Sequence, residues 1–171
     1  MTTALRLTGK LDPREGWTAD RCTIAKALEV VSTRSALLIL REAFYGTTRF
    51  DDFAERVGLS EPATAARLRE LVDEGLLERE DYREPGQRTR QRYRLTAKGA
   101  DLFPVLAALM RWGDRWLDDR GGPVELIHRD CGETVSVSVR CAAGHEVDTS
   151  EIDLARRRRR PRPQEPQATK S

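Results

Sequence analysis

Four residues toward the C-terminal end have the types and spacing of a metal site. They are His128, Cys131, Cys141 and His145, separated by two, nine and three intervening residues. Imidazole nitrogen and thiolate sulfur are preferred ligands of tetrahedral Zn2+, and two His with two Cys would close such a site against substrate. Neither half is the Cys-x-x-Cys pair of a zinc ribbon, so the same residues also read as parts of a plain β unit. Cys22 is the remaining thiol. It stands where the patterning starts a helix, with Arg21 and Lys26 near it in sequence. Helix N-termini and neighbouring cations favour the thiolate, the form that reacts with oxidants. A small buried residue filling space is the other reading. The third set is cationic: Arg83, Arg88, Arg90, Arg92 and Arg94 stand against one acid, Glu84, over residues 83 to 94. That density suits phosphate, although alternating arginines also serve as the solvated edge of a sheet.

Catalysis finds little to work with. The two His of the chain both sit in the metal quartet, and neither a Gly-rich phosphate loop nor a nucleophile motif appears. The chain reads as a non-enzyme. Its 171 residues allow one ordinary domain and a small appendage. With 39% hydrophobic and 34% charged residues, a compact core with polar extensions is expected. No apolar run is long enough to span a membrane, and the first twenty residues lack the apolar centre of a signal peptide. Three cysteines at no disulfide-framework spacing agree with a reducing compartment, so the expected location is the cytoplasm, away from membranes. The net charge of +2 hides a division: the last sixteen residues hold seven basic groups and one acid, leaving 23 bases against 27 acids elsewhere.

The elements that must position these groups follow from periodicity. Residues 1–18 read as a flexible arm. From Thr23, Ile24, Leu28 and Val31 share a helical face, and a second helix carries Leu37, Leu40 and Phe44, with Ser35 as its cap and Gly46 as its end. A short third helix runs from Phe50 to about Arg56, with Phe53, Ala54 and Val57 inward. Gly58-Leu59-Ser60 makes a corner, and Ser60 caps a fourth helix with Pro62 in its first turn. That helix buries Ala65, Leu68, Leu71 and Val72 and stops at Gly75. Strands over Leu76–Tyr82 and Arg90–Leu95 flank a turn at Glu84-Pro85-Gly86. Thr96 then caps one long helix to about Leu117, bent near Gly113, with Pro104 a further source of a kink. Trp112 and Trp116 lie on one face of it, as intramolecular core or as an interface.

Helix, helix, helix-corner-helix, basic hairpin, helix is a winged helix-turn-helix. The fold class is therefore mainly α with a β wing, over residues 19–120, plus a small C-terminal β module at 122–152. In that module Val135, Val137 and Val139 alternate like a strand. Residues 153–171 form a basic tail without large apolar residues after Leu154, expected to be disordered. At about 100° per residue, Pro62, Ala63, Ala66, Arg69 and Glu70 lie opposite the buried Leu68, with Arg67 on the flank. Ser60 and the helix N-terminus suit a phosphate, alanines let the backbone approach a thymine methyl, and Arg67 and Arg69 are candidate readers of bases. Both arginines read alternatively as surface residues paired with Glu70 or Asp73. The DNA-binding set is thus Ser60, Pro62, Ala63, Ala66, Arg67, Arg69, Arg83, Arg88, Arg90 and Arg92, with double-stranded DNA the partner. A winged helix used only for protein contact is the competing class.

The runs CTIAKALEVV, VGLSEPATAARLRELVDEGLLERE, RYRLTAKG and LFPVLAALMRWGDRW resemble the HxlR family of bacterial regulators, relatives of the MarR group, over about residues 21–118. The resemblance implies a homodimeric regulator of transcription, a repressor on a palindromic operator, with the first and last helices pairing between subunits. It also implies responsiveness to an oxidant or a small-molecule effector, because several members carry a reactive cysteine at the position of Cys22. Two departures stand out: Ser32-Thr33-Arg34 replaces the usual Gly-Lys-Trp, and Thr23 replaces a proline after Cys22. The first falls where the dimer or an effector would pack.

Overall fold

The computed structural model describes residues 4–9, 18, 22–83 and 90–156, which belong to two compact units: Ala19–Val137, and Met1–Thr18 with Ser138–Ser171. The larger unit contains helices α1 (Thr23–Val31), α2 (Arg34–Phe44), α3 (Phe50–Val57) and α4 (Glu61–Asp73). Strands β2 (Leu77–Tyr82) and β3 (Arg90–Leu95) follow, then α5 (Ala97–Ala100) and α6 (Phe103–Trp116). The smaller unit holds β1 (Arg6–Leu7), a 3-10 turn at Thr149–Glu151 and β4 (Asp153–Leu154).

The core of the larger unit lies where α2, α3, α4 and the hairpin meet. Phe53, Ile39, Leu40, Leu68, Leu71 and Leu77 are its largest fully buried side chains, each contributing roughly 1.5–3 kcal/mol relative to exposure. Phe53 meets Tyr93 of β3 edge-on at 6.2 Å, which ties the wing to the helices. β2 and β3 pair antiparallel from Leu77↔Leu95 to Tyr82↔Arg90, and Tyr93 N–H donates to Thr48 O at 2.8 Å. Ala65 and Val72 are only half-buried. Thr64 is instead fully buried, its Oγ1 donating to Ser60 O at 3.0 Å.

Several local expectations are corrected. Thr33, not Ser35, caps α2: its backbone is extended (φ −83°, ψ 141°) and its Oγ1 accepts from Ala36 N–H at 3.2 Å. Ser35 is instead inside the helix, free to use its hydroxyl elsewhere. The long last helix is broken at Asp101 and Leu102 rather than at Gly113, and Pro104 restarts it in the first turn of α6, where a missing N–H costs nothing. The valines of the C-terminal module make no strand. Pairing there reduces to isolated bridges, Ile127↔Thr134 and Arg140↔Glu146, and Val135, Val137 and Val139 are all exposed. The division between units falls inside that module, after Val137.

The arm and the tail also hold structure. β1 pairs in parallel with β4, and the Arg6 guanidinium donates twice to the Asp153 carboxylate, at 2.7 and 2.8 Å. These hydrogen bonds hold the Asp153 carboxyl below its ordinary range. Arg21, the turn at Glu84-Pro85-Gly86, Arg88 and the tail from residue 157 lie outside the described residues.

Candidate nucleic-acid interface

The corner between α3 and α4 turns on Gly58, whose φ of +70° is the left-handed value an L side chain resists. Gly58 and Leu59 N–H both donate to Ala54 O, at 3.0 and 3.1 Å, closing α3. Ser60 then caps α4 by accepting from Ala63 N–H at 3.4 Å. Leu68, Leu71 and Thr64 anchor α4 on one side. Pro62, Ala63, Ala66, Arg69 and Glu70 are exposed on the other. The small residues sit toward the N-terminal end, where the free N–H groups and the helix dipole point outward.

Arg67 is placed differently from Arg69. Its Nε donates to Ser35 Oγ at 3.1 Å and its guanidinium pairs with Glu70, so it braces α4 against α2. The ion-pair alternative describes its geometry here. Arg69 is exposed.

In the wing, register matters more than the arginine count. β2 brings Glu78 opposite Arg94 and Glu80 opposite Arg92, while Asp81 lies opposite Gln91. Glu80 Oε2 accepts from Arg92 Nε at 2.8 Å and lies 3.0 Å from Arg94 Nε. Arg92 also rests over the Tyr82 ring at 5.8 Å. Arg92 and Arg94 are partly neutralised within the hairpin, and Arg83 and Arg90 are exposed. Counting charge only from residue 83 onward missed those acids.

Behind the wing, α4, β2 and α5 share one joint. Thr96 Oγ1 donates to Gly75 O at 2.6 Å and accepts from Gly99 N–H at 3.1 Å, and Thr96 N–H donates to Leu76 O at 3.1 Å. Lys98 Nζ donates to Glu74 O. Gly99 packs against this strand so closely that a Cβ would lie 2.1 Å from Leu76 O.

Among the described residues, two apolar helix faces have no cover. In α1, Ile24 is 69% and Leu28 51% exposed, and no residue of the helix is buried. In α6, Val105, Leu109, Trp112 and Trp116 form an outer stripe, with the two indoles 55% and 63% exposed. Trp112 and Trp116 are therefore not intramolecular core.

Cys22 is half-buried at the N-cap of α1, and its side chain makes no cap hydrogen bond. In the larger unit His128 Nδ1 is 3.0 Å from Cys131 Sγ. In the smaller unit Cys141 N–H donates to His145 O at 3.0 Å across a turn. Among the described residues no three His, Cys, Asp or Glu side chains gather as a metal ligand set, so the zinc reading rests on sequence spacing alone. Among the same residues no helix is long and apolar enough to cross a membrane.

Comparison with known proteins agrees with this architecture. Residues 30–121 match the family model described as HxlR-like helix-turn-helix. An uncharacterised HTH-type transcriptional regulator of Mycobacterium bovis is 40% identical over 132 residues, 76% of this chain and 82% of the relative. Among solved structures, PA1607, described as a transcription-factor candidate, has a TM-score of 0.72 at 34% identity, covering 81% of this chain and 96% of its own. A second transcription-factor candidate, PA1374 from Pseudomonas aeruginosa, has a TM-score of 0.55 at 36% identity, covering 78% and 90%. The chain belongs to the HxlR-like helix-turn-helix family and is a transcriptional regulator rather than an enzyme.

Proposed function

We propose that the protein acts in the cytoplasm as a homodimeric repressor, with α4 in the major groove of a palindromic operator and the wing tip on flanking phosphates. The observation that carries this reading is the exposed Ala63, Ala66 and Arg69 face of a helix whose opposite side is fixed in the core. A major groove admits one helix, and the two alanines keep that helix close to base edges. The uncovered faces of α1 and α6 supply the apolar surface that a two-fold pairing needs.

Gel-shift titration on the promoter next to the gene tests the reading. Arg69→Ala is expected to cut discrimination between operator and random DNA by roughly 1–3 kcal/mol, the worth of one bidentate base contact. Arg83→Ala with Arg90→Ala should weaken both DNAs alike and flatten the log–log salt slope by about two. An Arg69→Ala protein with an unchanged specificity ratio would remove Arg69 as reader. Equal affinity of the parent protein for operator and random DNA would favour the protein-contact class instead.

The proposal extends to an oxidant as effector, acting at Cys22. Its position at the start of α1 would couple a modified thiol to the proposed dimer face. Mild peroxide should release operator, dithiothreitol should restore binding, and Cys22→Ser should ignore both. Release that persists in Cys22→Ser would rule out that thiol.

A further inference from the structure

Helix α6 is apolar on two sides. At about 100° per residue, Phe103, Leu106, Ala107, Met110 and Asp114 share a face roughly opposite the stripe of Val105, Leu109, Trp112 and Trp116, of which Leu109 also borders the cleft described next. The inner face touches α2 where Phe103 meets Phe44 and leaves open space beside that contact. Between them, and roofed by residues 122–126, is a cleft of about 530 Å3, within the usual range for a small-molecule site. From α2 it is lined by Leu37, Leu38, Arg41, Glu42 and Phe44, with Tyr45 beyond its end. Of these Leu38 also packs against the core, whose fully buried α2 residues are Ala36, Ile39 and Leu40.

Its polar groups do not balance. Arg41 donates to Glu42 Oε1 through Nε at 3.1 Å and through a terminal nitrogen at 2.7 Å. Glu42 is buried and its second oxygen accepts from Thr47 at 3.3 Å, so this pair is internally satisfied. Arg41 also lies over the Tyr45 ring at 5.9 Å. Asp114 accepts from Gly122 N–H through Oδ1 at 2.9 Å, and among the described residues its Oδ2 has no partner. The cleft thus has a carboxylate, Asp114, toward one end of α6, and aromatic rings, Phe44 and Phe103 with centroids 5.3 Å apart, toward the other, about 16 Å away at 1.5 Å per residue. Carboxylate and ring faces both attract cations.

We infer that this cleft is an effector site for an elongated, amine-bearing cation, with an aromatic ring at one end against Phe44 and Phe103 and an ammonium at the other end at Asp114. The site lies on one side of α2 and the core on the opposite side, and Ser35, on the flank near the cleft-lining Glu42, accepts from Arg67. A ligand that spreads α2 from α6 therefore reaches the brace of the recognition helix. This regulatory half rests on the operator-binding reading; ligand binding itself does not.

The full-length protein is titrated with dansylcadaverine, a fluorescent aromatic amine, and with dansylglycine, which carries a carboxylate on the same fluorophore. Saturable, blue-shifted emission is expected for the amine, at least about tenfold tighter than for the acid, as one charge-assisted contact predicts. Asp114→Asn should erase that preference. Met110→Trp, which fills the cleft, should abolish binding without altering sedimentation, and Leu106→Phe serves the same end if Met110→Trp fails to fold. Equal affinity for both dyes, or no saturable binding, overturns the site. A monomer produced by either filling variant overturns it too, since a second copy of the chain would then cover the cleft. Dansylcadaverine should also lower operator affinity. If it binds and operator affinity is unchanged, the regulatory half fails and the site stands.

Discussion

Gly99→Ala is expected to lower the stability of the larger unit by about 3 kcal/mol, at the upper end of ordinary overpacking. The new methyl carbon would lie 2.1 Å from the carbonyl oxygen of Leu76 and 3.1 Å from a Leu95 methyl. A flexible side-chain tip could swing aside, but Leu76 O cannot. It starts the wing strand and accepts from both Thr96 N–H at 3.1 Å and Thr96 Oγ1 at 3.3 Å. Relief requires α5 to back away from β2, which loosens the cap that Thr96 gives Gly99. Thermal denaturation should then move down by roughly 10–20 °C for a unit of this size. Gly113 supplies the internal control. It lies within α6 with nothing near its absent side chain, so Gly113→Ala should leave stability unchanged or raise it by up to about 1 kcal/mol. A Gly99→Ala protein that melts within a degree or two of the parent would show that the close approach at Leu76 is not rigid.

Trp112→Glu combined with Trp116→Glu should separate the dimer while leaving each subunit folded. Both indoles are more than half exposed within the subunit, so carboxylates there meet water in a monomer and each other in a pair. The expected results are a sedimentation coefficient of a single chain and a melting temperature near that of the parent. Operator affinity should fall by roughly 10^2–10^4-fold, because two half-sites are no longer engaged by one linked molecule. A variant that stays dimeric would move the interface away from this stripe. A variant that becomes monomeric but keeps full operator affinity would remove the palindromic operator from the proposal.

The order of elements was legible because each carries its own local signal. Phe53 and Val57 recur at helical spacing, Gly58 and Ser60 mark the corner, and the hairpin strands begin and end within a residue of expectation. Details that depend on partners distant in sequence were not legible. Arg67 lies on the flank of α4 by any helical wheel, yet its length lets it reach Ser35, 32 residues earlier. Thr33 and Ser35 are equivalent as caps by residue type, and only the backbone angles at Thr33 decide between them. The alternation of Val135, Val137 and Val139 is real, but alternation makes a strand only when one face finds cover, and none of the three is buried. The acids of β2 were visible in sequence. Their effect on Arg92 and Arg94 depended on register, which places Glu80 opposite Arg92.

The joint at Thr96 determines which motions are available for switching. One hydroxyl ties the carbonyl of Gly75, at the end of the recognition helix, to the first turn of α5, and Lys98 adds a second tie to Glu74. Helix and wing are thereby held as parts of one lever, and bending one against the other would sacrifice several of these bonds together. Coupled hydrogen bonds of this kind give way in concert or not at all. In the proposed dimer, a signal that releases operator would then be read out as a change in the span and tilt between two intact reading heads. Protomer spacing, measured between labels on the two copies of α4, is the coordinate along which induction should register.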